Sequence, residues 1–164
     1  SSPYKQWPVD KLISLTKLIL QNTPLTIVLG GGPEAVDRVV SIEKQLDKQR
    51  VTRATHLSLG INCALIAKAR MLISPDSGPM HIGFALKVPT ICLFWSTGSQ
   101  NTIRNELNGS KYCGPLEIDK SLSTVLYGNF KGEKKGYGPG HLHLNPILVS
   151  EVLEKVLDFL KMRA

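Results

Sequence analysis

Short, continuous apolar runs alternate along this chain with segments whose apolar residues recur at helical spacing, and few folds accommodate that alternation. Asp10 to Gln21 carries Leu12, Ile13, Leu15, Leu18, Ile19 and Leu20 in the pattern of an amphipathic helix, with Trp7-Pro8 at its entrance. Leu25 to Leu29 reads as a strand, and its near-continuous apolar character predicts burial on both faces of a parallel sheet. Pro33 suits the first turn of a second helix running to about Lys48, and Val51 to Ala54 suits a short strand. Then come a helix over Ile61 to Arg70, a strand over Met71 to Ser74, a helix over Gly78 to Leu86 and a buried strand over Thr90 to Trp95. Leu148 to Leu160 closes the chain as an amphipathic helix. The expected fold is α/β, a parallel sheet with helices on both faces, in which ligands bind beyond the C-terminal ends of the strands. Ser96 to Pro146 loses the periodicity and holds a Gly-Tyr-Gly-Pro-Gly run at Gly136 to Gly140; at that length, short strands or a functional excursion are expected within it.

One strand-to-helix turn concentrates the parts of an anion site: Ile73-Ser74-Pro75-Asp76-Ser77-Gly78-Pro79-Met80-His81. Asp76 or Ser77 is placed to cap the helix that follows. A helix start leaves backbone N–H groups without intrahelical partners and carries partial positive charge, which suits a phosphate. An arbitrary Asp-Ser-Gly turn is more often a plain cap beside a tight corner. The sequence around this one reverses that weighting.

Asp76-Ser77-Gly78-Pro79-Met80-His81, leading through Ile82 to Leu86 and Val88-Pro89-Thr90, resembles the signature of the heptosyltransferase-like glycosyltransferases, family 9. Lys5-Gln6-Trp7-Pro8 is similar to that family's Lys-x-Trp-Pro segment, and Val28 to Glu34 to its Gly-rich strand end followed by an acidic residue. The resemblance covers about Ser1 to Phe94. It implies a Rossmann-like domain forming one half of a GT-B architecture, in which two such domains face a cleft. It also implies that 1–164 is the C-terminal, donor-binding half of a two-domain enzyme, with the N-terminal half as its missing partner. After the strand ending near Trp95, this chain has Phe94-Trp95-Ser96-Thr97-Gly98 where relatives usually show a Gly-Pro-Thr-like turn.

Composition narrows the partners. The chain has 164 residues and a formal net charge of +7. Its basic residues are scattered, without a helix face interleaved with aromatics, so no nucleic-acid partner is expected. Phosphorylated ligands, or peripheral contact with an anionic membrane, account better for the charge. Lys131-Gly132-Glu133-Lys134-Lys135-Gly136 is the one dense basic stretch and reads as a solvated loop. No segment reaches the roughly 20 apolar residues of a membrane span. A cytoplasmic location is expected, at most peripheral at the inner face of the inner membrane. Cys63, Cys92 and Cys113 lack metal-site or disulfide spacing, and His141-x-His143 lacks a third ligand, so neither a metal nor any other cofactor is expected.

Roles follow from the resemblance, weighed against the bland alternatives. Transfer from a nucleoside diphosphate requires stabilisation of charge building on the leaving phosphate, and without a tightly held metal this falls to fixed donors and cations. The amides after Asp76, the Ser77 hydroxyl, Gly78 and the Lys5 ammonium form the expected clamp, with Ser1 and Ser2 where relatives place phosphate-contacting hydroxyls. Lys5 and Asp76 are the expected catalytic residues of this half; the general base is expected in the N-terminal half. Asp76 orients sugar hydroxyls or the clamp, and His81 is reachable from the phosphates, although a histidine there is often a packed core residue. Glu34 suits the ribose hydroxyls, or simply favourable charge at a helix start. Leu57 falls where relatives set an apolar residue against the nucleobase, or is an ordinary core leucine.

The expected function is transfer of a sugar, with ADP-heptose the first candidate donor, to a lipid-linked acceptor of lipopolysaccharide or a related surface glycan. A non-catalytic nucleotide- or phosphate-binding module and a GT-B nucleotide-sugar epimerase are the alternatives.

Overall fold

The computed structural model describes residues 6–95, 123–128 and 147–161. Five helices and five strands are described: α1 (Val9–Asn22), β1 (Ile27–Gly31), α2 (Val36–Glu43), β2 (Val51–Thr55), α3 (Leu59–Lys68), β3 (Leu72–Pro75), α4 (Gly78–Ala85), β4 (Thr90–Trp95), β5 (Ser123–Gly128) and α5 (Val149–Lys161). A short 3-10 turn over Pro33–Ala35 leads into α2. Every strand pairing among the described residues is parallel. β1 pairs with β2 from Ile27↔Val51 to Gly31↔Thr55, and β4 lies between β3 and β5, with Leu72↔Thr90 and Thr90↔Ser123 opening the two registers.

Two hydrogen-bonded ladders result among the described residues, β1-β2 and β3-β4-β5. A shared core joins them. Leu25 and Ile27 near β1, Met71 and Ile73 near β3, and Ile91 and Leu93 of β4 all pack with Trp7, Leu15 and Ile19 of the N-terminal part and with Val152, Val156 and Phe159 of α5. A second cluster sets Ile13 of α1 against Ile42, Leu46 and Val51.

Period-two alternation along β4 places helices on both faces. Ile91 and Leu93 turn toward α1 and α5, whereas the Cys92 Sγ lies 2.8 Å from the Met80 Sδ of α4. α4 can lie this close because of Gly83. A Cβ there would stand 2.7 Å from the Thr90 Oγ1 and 2.8 Å from the Leu72 Cδ2. α4 then ends in a Schellman arrangement, with Val88 N–H donating to the Gly83 carbonyl at 2.9 Å and Lys87 N–H to the Phe84 carbonyl at 3.0 Å. Lys87 occupies the left-handed position at φ 55°, where glycine is usual, and Pro89 follows.

Several boundaries differ from the sequence reading, each for a local reason. α3 begins at Leu59 rather than Ile61 because the Ser58 Oγ accepts from Ile61 N–H. α2 stops at Glu43 rather than near Lys48: Gln45 and Leu46 donate to carbonyls three residues back, a tightened turn that folds Leu46 into the core. β1 is not buried on both faces. Its exposure alternates and Val28 is 44% exposed, since α1 and α2 cover one side while α3 packs on α4. Within the unperiodic stretch, β5 is a described strand of the kind expected there.

Candidate functional site

The described part of the Lys-x-Trp-Pro segment is held from two sides, by Ile147 and by Arg38. Trp7 is buried, its indole N–H donating to the Ile147 carbonyl at 3.2 Å, and the Lys11 ammonium reaches that same carbonyl at 3.0 Å. From α2, the half-buried Arg38 guanidinium donates to the Gln6 Oε1 and to the Trp7 carbonyl. Burial lowers the Arg38 pKa from its ordinary value, yet a guanidinium stays protonated, so the latch persists at every ordinary pH. Lys5, Ser1 and Ser2 lie outside the described residues.

β1 and β2 are parallel neighbours in register, so the residues after their C-terminal ends share one edge of the ladder. Glu34 lies three positions beyond Gly31 and Leu57 two beyond Thr55. Glu34 sits exposed in the 3-10 turn, its carboxylate over Gly32, where any side chain on Gly32 would collide with it. Gly31 has its own packing reason, since a Cβ there would stand 2.7 Å from that of Ala35. Gly30 meets nothing. The chain leaves β2 through His56 in the left-handed region at φ 61°, a corner uncommon for a non-glycine residue, and delivers Leu57 half-buried.

The β3–α4 turn is where the sequence placed it. Ser77 holds the N-cap position of α4 with extended backbone, but its side chain makes no capping bond. One reason is local: the second helical residue is Pro79, which has no N–H, and Met80 N–H donates to the Ser77 carbonyl at 3.0 Å. The Ser77 Oγ instead lies 3.1 Å from the Pro75 carbonyl and 3.1 Å from the Ser74 Oγ. Asp76 is half-buried beside it. At Gly78 a Cβ would meet nothing within 4 Å among the described residues, which leaves room beside the helix start there. His81, one turn on, is exposed, and the core position beside it belongs to Met80.

Asp76, Ser77, Gly78 and His81 are thus gathered on one turn, while Glu34 and Leu57 share the edge of the other ladder. Two contributors escaped the sequence reading. Ser74 looks like a strand residue in an apolar run, and its signal was a buried hydroxyl where valine or alanine would be ordinary. Arg38 carries no local signal, because its partners are about thirty residues away. Among the described residues, no group of three or more His, Cys, Asp or Glu could hold a metal ion, and no helix is long and apolar enough to cross a membrane.

The solved glycosyltransferase of family 9 from Veillonella parvula superposes with a TM-score of 0.71 at 20% identity, covering 99% of this chain and 44% of that one. E. coli heptosyltransferase WaaC, solved with ADP, gives 0.68 at 18% identity, covering 97% and 41%. These likenesses establish the fold, a Rossmann-like α/β half of the GT-B architecture. In sequence the chain is similar to lipopolysaccharide heptosyltransferase 1 of Campylobacter coli, 30% identical over 139 residues, 76% of this chain and 40% of that protein. It is also similar to lipooligosaccharide heptosyltransferase 2 of Haemophilus influenzae, 24% identical over 163 residues, 94% and 44%. The chain therefore spans about two-fifths of the length of these curated relatives. The model of glycosyltransferase family 9 (heptosyltransferase) matches residues 1–115, and with the fold this assigns the chain to that family.

Proposed function

We propose that this chain is the donor-binding half of a heptosyltransferase of lipopolysaccharide assembly, a single Rossmann-like domain over 1–164 that works across a cleft from a second domain. The observation that carries the reading is the β3–α4 turn: a helix start open at Gly78, a Ser77 hydroxyl not spent on capping, and an exposed His81 on the first turn. As the bond between the anomeric carbon and the donor phosphate breaks, negative charge grows on the leaving nucleoside diphosphate. The α4 N-terminus, the Ser77 hydroxyl and the Lys5 ammonium stabilise that charge, with Ser1, Ser2 and His81 at the phosphates. Asp76 orients the sugar or the clamp. Glu34 accepts from the ribose hydroxyls, and Leu57 lies against the base. The base that deprotonates the acceptor hydroxyl comes from the other domain. ADP-heptose is the first donor to test, given that a structural relative was solved with ADP, and the acceptor is a lipid-linked glycan met at an anionic membrane surface.

Titration calorimetry of the full gene product against ADP, UDP, GDP and CMP tests the nucleotide site. Absence of binding by the folded protein to all four overturns the reading. With donor and acceptor supplied together, acceptor-dependent transfer supports it. Binding without transfer identifies a non-catalytic module, and a donor epimerised without acceptor identifies an epimerase.

A further inference from the structure

Ser74 is 3% exposed in the middle of β3, on the side of the strand that faces α4. A hydroxyl in that place loses water, and an apolar side chain of similar size would avoid the loss. Its partners are the Pro75 carbonyl at 2.9 Å and the Ser77 Oγ at 3.1 Å. The Ser77 Oγ shares the same carbonyl at 3.1 Å. Two hydroxyls and one carbonyl form a closed triangle, within which only two protons are available for three contacts. Each hydroxyl donates once and accepts up to twice. When Ser77 turns its single proton outward, its oxygen remains free to accept, and the Ser74 Oγ lies within donating distance of it.

We infer that Ser74 is a positioning residue for phosphate recognition: it donates its proton to the Ser77 Oγ and so frees the Ser77 proton for a phosphate oxygen of the donor nucleotide. The inference rests on the reading of the β3–α4 turn as the phosphate site. In the empty state the Ser77 proton points inward, to the Pro75 carbonyl. When the anion arrives, Ser77 rotates its O–H outward, and the Ser74 O–H swings from the Pro75 carbonyl to the Ser77 oxygen. No bond other than hydrogen bonds changes. A hydroxyl that accepts a bond becomes a better donor, so the chain from Ser74 through Ser77 to the phosphate is stronger than Ser77 alone. The same contacts keep the Ser77 hydroxyl beside Ser74 and Pro75 rather than on the helix start.

The test is a double-mutant cycle in the full gene product, with ADP and adenosine as probes in titration calorimetry. Ser77→Ala should weaken ADP binding roughly tenfold or more, as expected for loss of a hydrogen bond to a charged group, and Ser74→Ala about three- to tenfold. The double variant should bind ADP no more weakly than Ser77→Ala alone, and adenosine, which lacks phosphates, should bind all variants as it binds the wild type. Ser74→Thr, which keeps the hydroxyl, should recover most of the ADP affinity. Should Ser74→Ala melt early, Ser74→Cys, nearly isosteric with a poor donor, must show the same ADP-selective loss. Additive losses, or equal losses for adenosine and ADP, overturn the relay and make Ser74 a packing residue. So does an unchanged ADP affinity in Ser77→Ala when the wild type binds ADP, and this outcome leaves the nucleotide site itself standing. A wild type that binds no nucleoside diphosphate overturns the functional reading and the relay with it.

Discussion

Replacing Gly83 with alanine probes the contact that sets α4, and so the β3–α4 turn, against the sheet. The new Cβ would stand 2.7 Å from the Thr90 Oγ1 and 2.8 Å from the Leu72 Cδ2, both inside any normal contact distance. The leucine methyl can rotate away. Thr90 cannot yield so easily: it is fully buried and its hydroxyl donates to the Val88 carbonyl at 2.8 Å, next to the Schellman turn. Overpacking of this kind costs about 1–3 kcal/mol. Alanine returns roughly 0.5–1 kcal/mol through its better helix propensity. The net expectation is a loss of about 1–2 kcal/mol, or roughly 2–8 °C in Tm for a domain of this size. Urea and thermal unfolding of the two glycine variants Gly83→Ala and Gly78→Ala measure it together. A Cβ at Gly78 would meet none of the described residues, so its alanine variant should keep its Tm within about 1–2 °C, a change below 0.5 kcal/mol being usual for an exposed site. A Gly83→Ala protein as stable as the wild type would refute the close approach of α4 to β3 and β4.

Arg50→Ala should cost about 2–3 kcal/mol in urea unfolding, because the guanidinium donates to the carbonyls of Leu20, Thr23 and Leu25 at 2.7, 2.6 and 2.6 Å and its loss strands the C-terminal end of α1. Arg38→Lys should lose about 1–2 kcal/mol despite keeping the charge, since one ammonium cannot reproduce the fork between the Gln6 side chain and the Trp7 carbonyl; urea melts decide it. Lys87→Gly should gain roughly 0.5–1 kcal/mol by relieving the left-handed backbone, read as a higher Tm. Lys5→Ala and Asp76→Ala should reduce kcat/KM of the complete enzyme by about tenfold or more, the loss of a charge-assisted contact, while Tm falls by no more than a cap's worth, about 1 kcal/mol. Near-normal kcat/KM in both would mean that the phosphate site lies away from the Asp76 turn.

Much of the scaffold was legible because the signals that define it are local. α1, β2, α4 and β4 came within a residue or two of their observed limits, since apolar spacing reports period and a helix or strand depends on neighbours a few positions away. The Asp76 to His81 turn was legible for the same reason, its capping residues, glycine and helix start being adjacent in the chain. Other features depended on what the rest of the molecule brought alongside. The apolar run of β1 predicted two covered faces, but Val28 remains exposed because α3 lies on α4; no pattern within the run carries that information. Arg38 and Arg50 gave no sign of their partners, which are reached over sequence separations of 25 to 32 residues. Ser74 became distinct from any other strand serine only when β3 and α4 closed around it and left its hydroxyl facing that of Ser77. Periodicity and turn chemistry are written in consecutive residues, whereas burial, exposed faces and the partners of long polar side chains are settled only when distant segments pack.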